Sequence, residues 1–404
     1  MHPPRRKTLA AVPRHNVNLT GAELRWVLRG AVGAPDAPGG RADFEAESRR
    51  YFGAAHVIAV ESGRTSLYLA LHGLGIKPGD TVVLPSYCFY SLVNVVEGMG
   101  CKARFAPIDP DTFALDPARL SEHVDGADAV VVIHPFGQLA NMAGLQAVCS
   151  THGIPTVEDA SQATGGRWGR HRAGVIGDVG VFSLVSGKNL QTFGGGLITT
   201  QRDDVARTIR ARLRPETPIP TERVQSAFRS GLQRWFLTTP LGHQGLMHPA
   251  TVTLDALAPA KLTALAAETR TAFDPDQTIC VLSDVQGRLG CMELAELDRR
   301  NAIRRANALR LLDGLKGLHG LTLPTFDPSC ENTFNAVAVR TPWARELAMK
   351  LRRRGYDTRP DYMEFFGSTR AFDDAVIYLP NHPGMCSDTI DRLAATVRDI
   401  LRPT

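Results

Sequence analysis

The chain has 404 residues, 43% of them hydrophobic and 22% charged, with a formal net charge of +5. That length can bury a sizeable core in two domains, and so mild a charge, with no basic stripe interleaved with aromatics, gives no footing for nucleic-acid binding. No apolar run approaches the ~18 residues of a membrane span. The basic N-terminus lacks the apolar segment of a secretory signal. The seven cysteines (88, 101, 149, 280, 291, 330 and 386) are scattered without metal-ligand spacing, and read as reduced thiols of a cytoplasmic protein.

In chain order, residues 1–40 form a Pro-, Gly- and Arg-rich arm with one helix near Ala22 to Arg29. A helix over 42–52 carries Phe44, Ser48, Tyr51 and Phe52 on one side. His56 to Val60 is a short strand. Ser62 then caps a helix whose apolar face is Leu67, Leu71 and Leu74. A small-residue turn feeding a helix N-terminus is a phosphate site by geometry, or simply a capped helix. Strands at 81–84, 104–108, 128–133 and 155–158 alternate with helices at 90–98, 117–123 and 142–151, which predicts a mostly parallel sheet. Phe89 follows the first of these strands. His134 ends a buried-type strand before Pro135 and reads as a positioning residue, and His152 as a cap or surface residue.

Two fragments carry chemistry. The strand ending in Glu158 and Asp159 puts a carboxylate where α/β folds bind ligands. Downstream, Ser183 and Lys188 lie between two strands, boxed by small residues and followed by three glycines, Gly194 to Gly196. Lysine in a desolvated pocket forms Schiff bases with aldehydes. With Asp159 in the same pocket, the pair suits pyridoxal 5'-phosphate (PLP), which needs a lysine for its aldehyde and an acid for its ring nitrogen. Ser183 and a glycine-bearing turn suit the phosphate.

The segments SGRTSLYLAL (Ser62 to Leu71), PSYCF (Pro85 to Phe89), HPFGQLANM (His134 to Met142), EDASQ (Glu158 to Gln162) and FSLVSGKNLQTFGGG (Phe182 to Gly196) follow in an order that resembles the DegT/DnrJ/EryC1/StrS aminotransferases. The resemblance implies an α/β protein of PLP fold type I: a large domain with a mostly parallel seven-strand sheet and a small C-terminal α/β domain. The expected boundaries are 1–40 for the arm, 41–281 for the large domain and 282–404 for the small one. It further implies Lys188 as the Schiff-base lysine, Asp159 as partner of the pyridine nitrogen, and Gln162 as a ring contact. Phe89 would be the stacking ring and Ser183 the phosphate hydroxyl, with Arg64 and Thr65 standing at the phosphate turn. The activity implied is transfer of an amino group from an amino acid, glutamate by family habit, to a keto group of a sugar, cyclitol or related biosynthetic intermediate, in a homodimer.

Three departures qualify the resemblance. Arg64 occupies the place of the family's usual threonine, followed by Thr65. The aligned piece Gln277 to Leu282 lacks the asparagine and arginine of a GxNxRM segment. Phe334-Asn335 replaces an aromatic–histidine pair. Residues 214–275 form an atypical insertion, within which Val224, Phe228, Leu232, Trp235 and Phe236 recur at helical spacing. That face packs on the body of the enzyme, across a dimer or over the substrate, or else segment 223–237 meets a membrane or acyl chain.

Leu282 to Leu315 reads as a long helix broken near Gly290, its arginines a solvated face. Then come a strand over Asn332 to Arg340, a helix over 343–354, a strand beginning at Tyr356 to Arg359, and a last helix capped by Ser387. Other PLP reactions (decarboxylation, elimination or C–C bond formation) share the same lysine and aspartate. A non-catalytic binding protein on this scaffold remains open. A sugar dehydratase of the family would carry histidine at position 188, so Lys188 speaks against it.

Overall fold

The computed structural model describes residues 11–33, 37–214, 216–257, 271–277, 279–360, 362–368, 370–372 and 375–402. Parts of the expected arm (1–10 and 34–36) and insertion (258–270), with Thr278, lie outside the described residues.

The main sheet has nine strands among the described residues. From one edge they are Thr217–Pro218, Cys280–Val281, His56–Val60, Gly196–Thr200, Val179–Ser183, Thr156–Asp159, Ala129–Ile133, Thr81–Pro85 and Lys102–Ala106. The five from Val179–Ser183 onward are parallel, and Gly196–Thr200 runs against both its neighbours. Seven strands have four or five residues, as expected, and the other two are two-residue edge pieces. Side chains alternate between faces. Val131 and Ile133 join the core with the helix Tyr90–Gly98, whereas Val130 and Val132 pack on the helix Met142–Thr151.

Three helices precede or open this sheet: α1 (Gly21–Val32), α2 (Gly40–Phe52) and α3 (Gly63–Gly73). Thr20 and Glu23 close a reciprocal capping box on α1. Ser62 caps α3, accepting from the N–H of Thr65 at 3.1 Å.

The long helix, Asp284–Leu315, runs unbroken through Gly290. Glycine serves there as a close-approach point, because an added Cβ would lie 2.7 Å from the ring of Phe44 on α2. Its arginines are not all solvated. Arg300 and Arg304 are buried, Arg300 beneath α1. Arg300 grips Glu23 of α1 through both carboxylate oxygens, at 3.0 and 2.7 Å. It also lies 2.9 Å from Glu293, in a geometry that makes an ion pair without a hydrogen bond.

A second, three-stranded sheet orders Val337–Thr341, Ala375–Leu379 and Arg359–Pro360 beside the helices Ala344–Arg353 and Ser387–Ile400. Its first strand begins later than the sequence suggests. Phe334 sits at φ 45°, so the chain turns there and regular pairing starts only at Val337. Ser387 is the first residue inside the last helix; Cys386 is the N-cap and makes no side-chain cap bond.

In the insertion, the helix Thr221–Thr238 packs on α1, with Phe228 fully buried between Gly30 and Phe193. Leu232 and Trp235 are partly covered, and Phe236 stays exposed. No described helix is long and apolar enough to cross a membrane.

The Glu293 carboxyl is pushed up to about 7, by burial first, with Arg300 pulling it down and Glu23 adding repulsion. Its folded value exceeds the unfolded one, so the folded state keeps a proton that the unfolded state has lost. Stability therefore declines as pH rises from the ordinary glutamate range to about 7. Glu293→Gln should flatten that decline and be more stable than wild type at pH 8, by about 1–3 kcal/mol. Arg300→Met, which strands two buried carboxylates, should cost about 3–5 kcal/mol. Urea unfolding at pH 5 and pH 8 checks both.

Candidate active site

The carboxyl ends of the parallel strands open onto one cavity of about 630 Å3. Arg64, Phe89, Asp159, Gln162, Ser183 and Lys188 all line it, though they come from four separate stretches of chain. Thr65 does not: it is buried, with its hydroxyl 2.8 Å from Ser62 Oγ, and so supports the residue that caps α3.

At one end, α3 points its N-terminus at the cavity. Its first N–H groups belong to Gly63 and Arg64, which have no helical carbonyl to bond. Glycine at 63 lets the helix approach the strand end, because an added Cβ would meet Ser183 Cβ at 2.8 Å. Ser183 and the first backbone donors of α3 thus share a corner, and the exposed Arg64 borders the same cavity. Arg64 Nη1 also donates to Thr271 of the insertion, at 3.3 Å. By contrast, the helix Thr221–Thr238 contributes nothing to the cavity lining.

Asp159 sits mid-sheet, paired in register with Ile133 and Val181. One of its oxygens, Oδ1, accepts from the N–H of Ser161 at 2.8 Å, which fixes the carboxylate plane. The preceding residue, Glu158, is fully buried and accepts from the N–H groups of Gly174, Ile176 and Gly177 at 2.7, 2.8 and 2.9 Å. Burial works to raise its pKa. His134 and the glycine N–H groups outweigh burial and hold it below the usual range. His134 Nδ1 accepts from the N–H of Ala140, so the ring proton is on Nε2 and goes to Glu158 at 2.8 Å. With both nitrogens engaged, His134 holds position and is no base.

Gln162 Oε1 accepts from the N–H of Phe136 at 2.7 Å, which turns its amide nitrogen the other way. Lys188 follows Gly187, whose φ of +91° makes the turn. Its Nζ stands 5.5 Å from the centre of the Phe89 ring. A run of amides holds this loop. Asn335 Nδ2 donates to the Gly187 carbonyl at 3.0 Å and to Asn189 Oδ1 at 2.7 Å. Asn189 donates to Asn301 at 2.9 Å, and Arg304 donates to the same Asn301 oxygen at 3.2 Å. Asn335 therefore ties the lysine loop to the long helix.

Sequence reasoning missed Arg359, from the second sheet, and Tyr362 and Glu364, from the chain just beyond it, all of which line the same cavity. Tyr362 sets its ring edge-on to Phe89 at 5.0 Å, and the Arg359 guanidinium lies 4.9 Å from the centre of the Tyr362 ring. An arginine opening a two-residue strand carries no signal of its own in sequence. Among the described residues, no group of three or more His, Cys, Asp or Glu side chains could hold a metal ion.

The family model of the DegT/DnrJ/EryC1/StrS aminotransferases matches residues 23–225 and 280–398. Over 323 residues the chain is 30% identical to a dTDP-3-amino-3,4,6-trideoxy-alpha-D-glucose transaminase of Streptomyces venezuelae, covering 79% of this chain and 72% of that protein. It is 29% identical to an L-glutamine:2-deoxy-scyllo-inosose aminotransferase of Streptoalloteichus tenebrarius, over 79% of this chain and 66% of that one. The solved structure of S. venezuelae DesV is similar with a TM-score of 0.75 at 25% identity, over 98% of this chain and 99% of that one.

Glu158→Gln should lower stability by about 3 kcal/mol or more, since an NH2 group would then face an N–H or the His134 proton. Thermal unfolding reads this directly, and an unchanged midpoint would mean that Glu158 is not the acceptor for these groups.

Proposed function

Because the chain belongs to the DegT/DnrJ/EryC1/StrS aminotransferase family, we propose that it transfers an amino group from an amino acid, glutamate or its amide, to a keto group on a sugar or cyclitol. The relatives named for a dTDP-aminosugar and for scyllo-inosose support that acceptor class. One observation carries the reading: a carboxylate, a lysine, an aromatic ring and a helix N-terminus converge on a single cavity.

The residues fit pyridoxal 5'-phosphate as the cofactor. The corner formed by Ser183 Oγ and the first N–H groups of α3 is a donor set suited to a phosphate, and glycine at 63 keeps it open. When bound, the cofactor supplies an aldehyde carbon that exchanges nitrogen and a ring that draws off electrons. Gly63, Arg64 and Ser183 would hold its phosphate, with Arg64 adding a charged donor. Asp159 would keep the ring nitrogen protonated through its carboxylate, and Phe89 would cover the ring and shut water from that face. Gln162 would donate its amide N–H to a ring oxygen. Lys188 Nζ would hold the aldehyde at rest and, once released, move the proton between the reacting carbons.

A homodimer belongs to the same reading, since the resemblance implies one, and the free thiols suit a reducing cytoplasm. The balance of nitrogen separates transamination from other reactions of the same cofactor. One 2-oxoglutarate should appear for each amino group gained by the acceptor when glutamate is the donor.

Two substitutions test the roles. Lys188→Ala should abolish turnover and covalent attachment; borohydride reduction with peptide mapping should mark Lys188 in the wild type, and a label on another lysine overturns the assignment. Asp159→Asn should slow transfer at least ~100-fold while leaving the fold intact. Near-native turnover with an unchanged visible spectrum would remove Asp159 from the site.

A further inference from the structure

The insertion carries a helix turned inside out. After Thr239 three helical pieces run on without a break: Pro240–Gly242, the π-turn His243–Met247 and His248–Leu257. A helix on a protein surface keeps its polar side chains in water and buries its apolar ones. Here His243 is buried, His248 reaches the Arg352 carbonyl at 2.8 Å, and Asp255 grips the Arg352 guanidinium at 2.7 and 3.0 Å. His248, Val252 and Asp255 stand at i, i+4 and i+7, and this inward face lies on the helix Ala344–Arg353. Leu246, Ala250, Thr253 and Leu257 share the opposite face at i, i+4, i+7 and i+11, and all four are exposed.

Leu241 is 77% exposed, Leu246 55% and Leu257 80%, with Phe236 and Met247 also open to solvent. Among the described residues eleven large apolar side chains are exposed, and these five of them fall within 22 residues of chain. A single exposed leucine needs no explanation, but a cluster marks an interaction surface. The charges around it are of one sign. From Arg223 to Leu254 the chain has three arginines (223, 229 and 234) and neither lysine nor acid. On the helix beneath, Arg353 is exposed and Glu346 is engaged with Lys350 at 2.7 Å. No residue from 236 to 257 lines the main cavity, so this surface stands apart from the chemistry.

We propose that this face seats on a bilayer surface bearing anionic headgroups, with Leu241, Leu246 and Leu257 entering the acyl boundary and the arginines meeting the headgroups. Three observations choose that partner. An interface with another protein carries about one hydrogen bond per 100–200 Å2. Among the exposed side chains from 241 to 257, only Gln244 and Thr253 have hydrogen-bonding groups of that kind, and an acyl boundary asks for none. A second copy paired about a two-fold axis would set each arginine-flanked face against itself, like charge on like. An apolar helix face with basic flanks and no acid beside it is the pattern of a helix lying in the membrane interface. With a π-turn and an inward Asp255, it lies on the bilayer and does not span it. The residues from 226 to 279 fall outside the family match, so this surface is particular to this chain, and it holds whatever reaction the cavity performs.

The test is sedimentation of the full chain with vesicles of phosphatidylcholine, alone or with about one third phosphatidylglycerol. At low salt, wild type should bind the anionic vesicles at least ~10-fold better than the neutral ones, and high salt should erase most of that preference. The double variant Leu246→Glu/Leu257→Glu changes two exposed positions. It should bind at least ~10-fold more weakly at an unchanged thermal midpoint. Arg234→Glu should narrow the preference for anionic vesicles. Should the double glutamate variant not fold, Leu241→Ser/Leu257→Ser takes its place. A wild type that stays in the supernatant with both kinds of vesicle overturns the proposal, as do folded variants that sediment like wild type. Sedimentation velocity covers the other occupant. If wild type forms a dimer that the glutamate variant loses, and neither meets vesicles, a second copy covers this face and the membrane reading is wrong.

Discussion

One buried carboxylate sets the direction of the site. Glu158 collects three backbone N–H groups from 174–177 and the proton of His134, with no side-chain exposure to water. A strand alternates its side chains, so fixing Glu158 on one face commits Asp159 to the other, the face of α3. The same contact anchors the residue that ends the neighbouring strand. Two strand ends and a loop are therefore locked by a group that never meets substrate. The price is a desolvated charge, tolerated because its acceptor sites are supplied by rigid backbone.

On the opposite side of the cavity the lysine is held by neutral amides. Asn335, Asn189 and Asn301 pass hydrogen bonds from the Gly187 carbonyl to the long helix, and Arg304 closes the run. Amides suit this task because each both donates and accepts, so a chain of them needs no counter-charge near the lysine. The cavity's two working faces thus have different support. The aspartate side is rigid through the buried hydrogen bonds of Glu158, and the lysine side through a network that crosses from sheet to helix.

Much of this was legible in the sequence because it is local. Ser62 before its helix, the acidic end of Thr156–Asp159 and the glycine-boxed Lys188 are short patterns whose chemistry shows in neighbouring letters. What escaped depends on distant partners. Arg300 looks like one of several solvated arginines until α1, 277 residues away, brings Glu23 to it. Gly290 looks like a break until Phe44 occupies the space its missing side chain leaves. One miss is local: Thr65 reads as a ligand contact, but it is buried outside the cavity lining, with its hydroxyl 2.8 Å from Ser62 Oγ. His15 lies in a basic, proline-bearing arm that looks like any solvated terminus.

The segments beyond the family match are also the segments that touch one another. The model of the family stops at 225 and resumes at 280. From the stretch between, Thr238 receives the N–H of Val17, and Asp255 grips Arg352 at 2.7 and 3.0 Å. His248 reaches the Arg352 carbonyl at 2.8 Å, and Thr271 accepts from Arg64 at the N-terminus of α3. From before residue 23, the chain lays His15 beside the lysine loop. A shared chemistry needs a shared core, which is the part that matches. The two extra segments are braced against each other and against the second sheet, outside the lining of the main cavity.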